Sequence, residues 1–322
     1  MRKIWVSTTA FQRQGGPAVA DNIAKARELI DRAAVDRPDI ICLPETFNKE
    51  GVAVDEVGQV AETVPGPTTE MAMERARAHG CNIICPLMER RDGVLYNSAV
   101  VIDRLGGIAG IYEKLHPVTT TPDFTAFEDG TTPGQEPKVF DLDFGRIGIL
   151  ICFDIQWPRE WARLKELGAE IVFWPSAYDG GFPLQARAWD HHYWVVSSVQ
   201  TQKSRIIDIT GEVLLEAGAR TPVIGMEIDL EKRFFHTDFN ASQIGAIKKK
   251  YGRDVTVRLY HDEGGMTVES RREGLTVQAL MDEFDLELVP DYVARHDLAE
   301  TATRKGRAPD PQPPRRVPGQ WT

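Results

Sequence analysis

The sequence predicts a layered α/β protein whose sheets are partly antiparallel, and three observations lead there. Short β-prone runs alternate with stretches of helical periodicity from the first residues onward. The turn residues Arg104-Leu105-Gly106-Gly107 join two apolar runs closely enough for a hairpin rather than a crossover. Beyond a loop rich in Thr and Pro, a second alternating set follows.

Taken in order, Lys3 to Ser7 is a short β-prone run, and Ile23, Ala26, Ile30 and Ala33 recur at helical spacing. Asp39 to Leu43 is a compact apolar run, so the chain opens as β-α-β. Pro65-Gly66-Pro67 makes a turn, and a helical stretch runs from Thr69 to His79. Gly80 should end that helix, because glycine adopts the left-handed conformation of a helix terminus without steric cost. Asn82 to Pro86 and Ser98 to Ile102 read as strands, and Ile108 to Tyr112 returns from the hairpin. The second set comprises Val139 to Leu142, Arg146 to Cys152, a helix from Pro158 to Leu167 and a strand at Glu170 to Trp174. Val195 to Val199, Ile206 to Ile209 and Val213 to Leu215 complete it. The halves look alike in pattern, but no sequence repeat relates them.

From about Leu230 the character changes. Val255, Val257 and Leu259 alternate with polar residues like an edge strand, and Thr276 is placed to cap a short helix through Phe284. From Thr301 onward, five prolines and little apolar content predict an extended tail. The expected division is one domain over residues 1–285, with a core to about 230 and an extension beyond it, and a C-terminal tail over residues 286–322.

With 322 residues, 42% hydrophobic and 27% charged, the chain can bury a sizeable core. A net charge of -10 repels nucleic acid and anionic membranes on average, so neither is expected as a partner. The local runs Lys248-Lys249-Lys250 and Arg315-Arg316 are read as solvated faces. Ser7, Thr8 and Thr9 cut off any signal-peptide core, and no stretch approaches the roughly 20 apolar residues of a spanning helix. The four cysteines, Cys42, Cys81, Cys85 and Cys152, are too few for a disulfide framework and are read as free thiols, which makes a cytoplasmic location the expectation.

Three residues could carry chemistry. Cys152 ends the apolar run Ile147 to Ile151, where a strand feeding a tight turn holds a thiol among backbone N–H groups able to face an oxyanion. Alone, a cysteine in such a run is more often a small buried hydrophobe. Glu45 follows the strand ending at Leu43, a position suited to a general base, although most isolated acids there simply close a strand. Lys114 also closes a strand-like run, and a buried ammonium there can steady a thiolate and an oxyanion.

Together they weigh more. Leu43-Pro44-Glu45, Glu113-Lys114-Leu115-His116-Pro117 and Ile151-Cys152-Phe153-Asp154, in this order, resemble the three signature segments of the carbon-nitrogen hydrolase (nitrilase) superfamily. Asn22, Pro65-Gly66-Pro67, Tyr96-Asn97-Ser98, Phe127-Glu128 ahead of Pro133-Gly134, Gly168-Ala169-Glu170-Ile171, Pro175-Ser176, Arg187-Ala188 and Asp208-Ile209-Thr210-Gly211 also fall in the family's order. The resemblance covers roughly residues 1 to 230.

It implies Glu45 as base, Lys114 as the family's lysine and Cys152 as nucleophile, on an α-β-β-α sandwich that commonly pairs into a four-layer-forming dimer. The implied activity is hydrolysis of linear amides or N-carbamoyl compounds through a cysteine thioester, with no metal or organic cofactor. A nitrile hydrolase, an acyltransferase and a non-catalytic protein on the same fold are the alternatives. A homodimer or larger assembly is expected, with the extension beyond Leu230 at the interface. Glu128 resembles a second glutamate that positions substrate and the lysine, with Asp123 and Asp129 as competitors.

Substrate contacts are expected from Glu128, Phe153, Trp157, Tyr178 and His191, and specificity from the Val118 to Gly134 and Tyr178 to Gln185 loops. Most of Trp157, Trp161, Trp174, Trp189 and Trp194 should be core. Where many family members read Arg-Ala-X-Glu-Asn, this chain has Arg187-Ala188-Trp189-Asp190-His191, followed by His192. No set with ligand spacing surrounds these histidines, so a packed or pocket-lining role is expected rather than a metal site.

Overall fold

The computed structural model describes residues 2–53 and 57–315. Two compact units emerge: a larger one, Ile4–Ile228, and a smaller one made by the chain from Asp229 onward with the first residues.

In the larger unit, apolar runs form two six-stranded mixed sheets. The first contains β1 (Lys3–Thr9), β2 (Ile40–Cys42), β3 (Asn82–Arg91), β4 (Val94–Ile102) and β5 (Ile108–Glu113). The second contains β6 (Val139–Leu142), β7 (Gly145–Ile149), β8 (Ile171–Ser176), β9 (Trp194–Val199), β10 (Arg205–Ile207) and β11 (Val213–Glu216), and β12 (Val223–Asp229) returns to the first beside β1. Each has a parallel centre, β1-β2-β3 in one and β7-β8-β9 in the other, extended by the antiparallel pairs β3-β4 and β4-β5 in the first and β6-β7 and β9-β10 in the second. The likeness of the two halves read from the sequence thus has its counterpart in topology.

The period of two along the strands decides what each face buries. Ile41 and Leu43, Ile83, Cys85 and Leu87, and Val100 and Ile102 turn one face of the first sheet toward Ala26, Leu29 and Ile30 of α1 (Val19–Ala33) and Met71, Ala72 and Ala76 of α2 (Pro67–His79). The opposite face meets the second sheet, where Thr8 Oγ1 donates to Ser197 O at 2.7 Å and Ser198 Oγ to Cys42 O at 3.0 Å. On the outer side of the second sheet, α3 (Pro158–Glu166) closes down on β7 because position 148 is glycine: a Cβ there would stand 2.8 Å from Leu164 Cδ1. With α4 (Phe182–His191) alongside, the layers are helix, sheet, sheet, helix, the sandwich that the resemblance implied.

Gly80, at φ 65, ends α2 as expected. Three expectations change. Asn82 to Pro86 and Ser98 to Ile102 are the inner parts of a longer hairpin, β3 with β4, turned at Asp92 (φ 54) and Gly93 (φ 80). Asp-Gly supplies the two left-handed residues that a tight hairpin turn requires. The Tyr178 to Gln185 loop is shorter than its range, since α4 begins at Phe182 behind Gly181 with Pro183 in its first turn. The strand ending in Cys152 stops at Ile149, and Cys152 opens a 3-10 helix, Cys152–Gln156.

The smaller unit has a three-stranded antiparallel sheet of β13 (Arg233–His236), β15 (Gly265–Ser270) and β14 (Val255–Tyr260), in that order, so the Val255 to Leu259 run does form an edge strand. Phe235, Ile247, Val268 and Leu280 join sheet, α5 (Ile244–Tyr251) and α6 (Val277–Phe284) in one core. Thr276 Oγ1 caps α6 by accepting from Ala279 N at 3.0 Å. The tail assigned to residues 286–322 is corrected over its first part, because α7 spans Val289–Arg304, and the irregular chain expected from Thr301 begins after Arg304. Pro290 and Asp291 in its first turn are helix-start residues. The end of that tail, residues 316–322, lies outside the described residues. Among the described residues, no helix is long and apolar enough to cross a membrane.

Candidate active site

The expected triad residues stand where buried strands end. β2 is fully buried, and past Leu43 and Pro44 the backbone turns at Thr46, φ 38, leaving Glu45 4% exposed. Its Oε1 accepts from Asn97 Nδ2 at 2.8 Å and Lys114 Nζ at 2.9 Å, while its backbone carbonyl accepts from Gln200 Nε2 at 2.7 Å. The other carboxylate oxygen, Oε2, is buried with no hydrogen-bond partner among the described residues.

Lys114 follows β5, with its side chain 1% exposed. Besides Glu45, its Nζ donates to Glu128 Oε1 at 2.5 Å. Burial works against the ammonium, but the charges of Glu45, Cys152 and Glu128 outweigh it and hold Lys114 above the ordinary lysine range. Of the three acids left open, it is Glu128 that reaches Lys114. Asp129 pairs with Lys49, and exposed Asp123 accepts from Thr125 Oγ1 at 2.8 Å.

Cys152 has φ 47, a left-handed conformation unusual for a side chain other than glycine. Its carbonyl is pinned by Trp174 Nε1 at 3.0 Å. The thiol is pushed up to about 12 by burial and by the Glu45 charge, against the pull of Lys114, the Ser176 hydroxyl and the Ala177 backbone N–H. It is therefore protonated near neutral pH and needs a base to attack. Phe153 N lies in the first helical turn, where N–H groups lack intrahelical acceptors.

Asp154, fully buried, holds these segments together. Oδ1 accepts from His116 N at 2.8 Å, and Oδ2 from Ile151 N at 2.8 Å and Tyr112 Oη at 2.7 Å. One carboxyl group thereby ties the chain after Lys114 to the chain before Cys152. Burial raises its affinity for a proton, and the Ile151 and Tyr112 hydrogen bonds oppose that. Asp154 and Asn97 stand inside sequence motifs that assign them no role, and Gln200 stands outside those motifs. The signal for Gln200 was available, since a polar residue directly after a buried parallel strand points to the carboxyl edge of a sheet.

Among the expected substrate contacts, Trp157 stacks on His116 (centroids 3.7 Å, 6° apart), and Phe153 meets Trp157 edge-on at 5.2 Å. Tyr178, 39% exposed, sits edge-on to Trp174 at 5.4 Å. Burial first, then the charges of Cys152 and Glu45, raise its hydroxyl above the usual tyrosine range, which places it within the field of those two residues. The structure does not bring His191 into this group: its ring packs against Tyr193 at 5.4 Å, and its charged neighbours are Asp190, Lys165, Arg187 and His192. The adjacent His192 turns instead to the Ile209 carbonyl at 3.1 Å. Trp161 and Trp174 are fully buried.

Comparison with known proteins gives a consistent likeness. Residues 9–233 match the carbon-nitrogen hydrolase family. Omega-amidase NIT2-A of Xenopus laevis is 28% identical over 236 residues, 67% of this chain and 85% of that protein. A nitrilase of Pyrococcus abyssi is 31% identical over 217 residues, 66% of this chain and 80% of that protein. In fold, the chain resembles Nit3 of Saccharomyces cerevisiae (TM-score 0.60, 20% identity, 71% of this chain and 90% of the other) and an amidase from Nesterenkonia sp. (TM-score 0.59, 18% identity, 70% and 90%).

Proposed function

Because the chain belongs to the carbon-nitrogen hydrolase family, we propose that it hydrolyses the C–N bond of a linear amide or N-carbamoyl compound, with Glu45, Lys114 and Cys152 as its catalytic residues. The observation that carries this reading is the division of labour on Glu45. One carboxylate oxygen is held by Lys114 and Asn97, and the other is buried and unpartnered, beside a thiol that has not lost its proton.

In the proposed sequence, Glu45 Oε2 takes the Cys152 proton as Sγ attacks the carbonyl carbon. Lys114 Nζ and the Phe153 N–H stabilise the oxyanion, and its collapse, with a proton returned from Glu45, expels ammonia or an amine and leaves a thioester. Glu45 then activates water, which attacks the thioester carbon and releases the acid and the thiol. Glu128 keeps the ammonium aimed at the reacting centre. Each step uses side chains of this chain.

Nitrile hydrolysis is the second reading, supported by the relative from Pyrococcus abyssi that bears the name nitrilase. The Phe153-Asp154 pair after the nucleophile favours amides, since nitrile-hydrolysing relatives commonly carry Trp-Glu there. A carbonyl oxygen also moves toward the oxyanion donors as its carbon becomes tetrahedral. The expected result is a kcat/KM for amides at least about 10-fold above matched nitriles. A consistent preference for the nitrile across several side chains overturns the amide assignment.

The proposal extends to assembly and location. All four cysteines are free thiols, which supports a reducing, cytoplasmic setting. The pairing habit of the sandwich supports a homodimer or larger, with the segment beyond Leu230 at its interface. Light scattering at micromolar concentration is expected to give at least twice the 36.0 kDa chain mass. A monomer refutes that arrangement.

A further inference from the structure

A pocket of about 380 Å³ is lined by Leu115, His116, Phe124, Phe127, Phe153 and Trp157, with two prolines and a threonine, and three of these residues adjoin Lys114, Glu128 and Cys152 in the chain. We infer that this pocket receives an uncharged apolar substituent of the carboxamide, aromatic or branched aliphatic, and that the enzyme selects against substrates carrying a carboxylate at that position. The inference rests on the amide-hydrolase reading and adds the class of substrate.

Position is the first argument. Leu115, Phe127 and Phe153 are the immediate chain neighbours of Lys114, Glu128 and Cys152, so the pocket begins one residue along the chain from three of the four groups around the reacting centre. Its volume falls in the range of small-molecule sites, which are mostly apolar with few polar groups. The second argument is the chemistry of the walls. His116 and Trp157 form a parallel aromatic stack with Phe153 edge-on, and no lining residue is Lys or Arg. The His116 ring is already engaged, its Nε2 lying 3.3 Å from Glu160 Oε1.

Charge supplies the third argument. Lys114 is shared between Glu45 and Glu128, so two carboxyl groups face one ammonium and Lys114 has no surplus charge for an anionic substrate. Finally, Phe124 stands at the rim 71% exposed. Apolar surface of that size at the mouth of an apolar pocket gains by being covered, and a substrate ring would cover it.

The test compares two primary amides of matched chain length, 3-phenylpropanamide and succinamate. On the wild-type protein, kcat/KM is expected to be at least about 10-fold higher for 3-phenylpropanamide. Phe127→Ala and Trp157→Ala should reduce that ratio by about 10-fold, mainly through KM, whereas purely structural damage lowers both amides alike. Binding to Cys152→Ala protein, followed by calorimetry, reads the pocket without turnover and should also favour 3-phenylpropanamide.

The outcomes separate the two readings. If no amide is turned over but the phenyl compound binds to the Cys152→Ala protein and Trp157→Ala weakens that binding, the hydrolase reading fails and the pocket assignment stands. If amides are hydrolysed but succinamate is preferred, or the variants leave the ratio unchanged, the pocket assignment is overturned and the hydrolase reading stands. Variants that leave the ratio unchanged yet dissociate an oligomer in light scattering assign the pocket to a second copy of the chain, which also overturns it.

Discussion

Cys152→Ala is expected to lower kcat/KM for the preferred amide by at least about ten-thousand-fold, because no other group can form the thioester. The fold should survive, since alanine loses only a sulfur and any non-glycine residue at φ 47 carries the same backbone strain. In the wild-type protein, iodoacetamide should label Cys152 ahead of Cys42, Cys81 and Cys85. Acidity alone argues otherwise: burial pushes Cys81 up to about 11, less far than Cys152 at about 12. Access decides the order. Cys42, Cys81 and Cys85 are 0% exposed, whereas Cys152 is 8% exposed. Mass spectrometry of the labelled peptides checks the order, and equal labelling of all four with an active alanine variant sinks the assignment.

How far the sequence could be read follows from the range of each interaction. Periodicity and turn residues are local, so the strand-helix alternation, the Gly80 terminus and the Thr276 cap were all legible. Two missed elements carried local signals that were passed over: Asp92-Gly93 for the β3-β4 hairpin, and Gly181 with Pro183 for α4. The run Leu288 to Asp291 likewise announced α7, but the proline-rich composition downstream drew the tail boundary too early.

Within the site, motif order brought Glu45, Lys114 and Cys152 into one argument, and Glu128 emerged with two rivals. What separates Glu128 from Asp129 is the backbone: Asp129 has a left-handed φ of 57, and the adjacent residues point apart, one to Lys114 and the other to Lys49. Sequence spacing cannot resolve that choice in a loop without periodicity. Asp154, which bridges chain segments 38 residues apart through His116 N, was likewise invisible as a positioning group because two of its three partners are backbone N–H groups. His191, for which a packed or a pocket-lining role was expected, takes the packed one. A histidine following the Arg187-Ala188 segment invited a pocket role, yet α4 turns its ring to Tyr193.

Glu45→Gln should separate the base from the hydrogen-bond framework, because glutamine keeps the shape and an acceptor oxygen for Lys114 and Asn97 but cannot take a proton. Turnover is expected to fall by about 10²- to 10⁴-fold. The thiol should respond in the opposite sense. Burial still raises its proton affinity, but the second cause, the Glu45 charge, is gone, and Lys114 pulls the thiol down with less opposition. A group held up to about 12 is almost wholly protonated at pH 9, so each unit of decrease there raises the thiolate fraction about tenfold. The accompanying loss of nucleophilicity recovers less than half of that gain on a logarithmic scale. Alkylation of Cys152 at pH 9 to 10 should therefore be faster in Glu45→Gln than in the wild type, while amide turnover is slower. Labelling of buried Cys42 in the same samples controls for unfolding, which would expose all four thiols together. A variant that keeps its turnover, or one that loses turnover and is alkylated more slowly throughout that range, rules out Glu45 as the charged base beside Cys152.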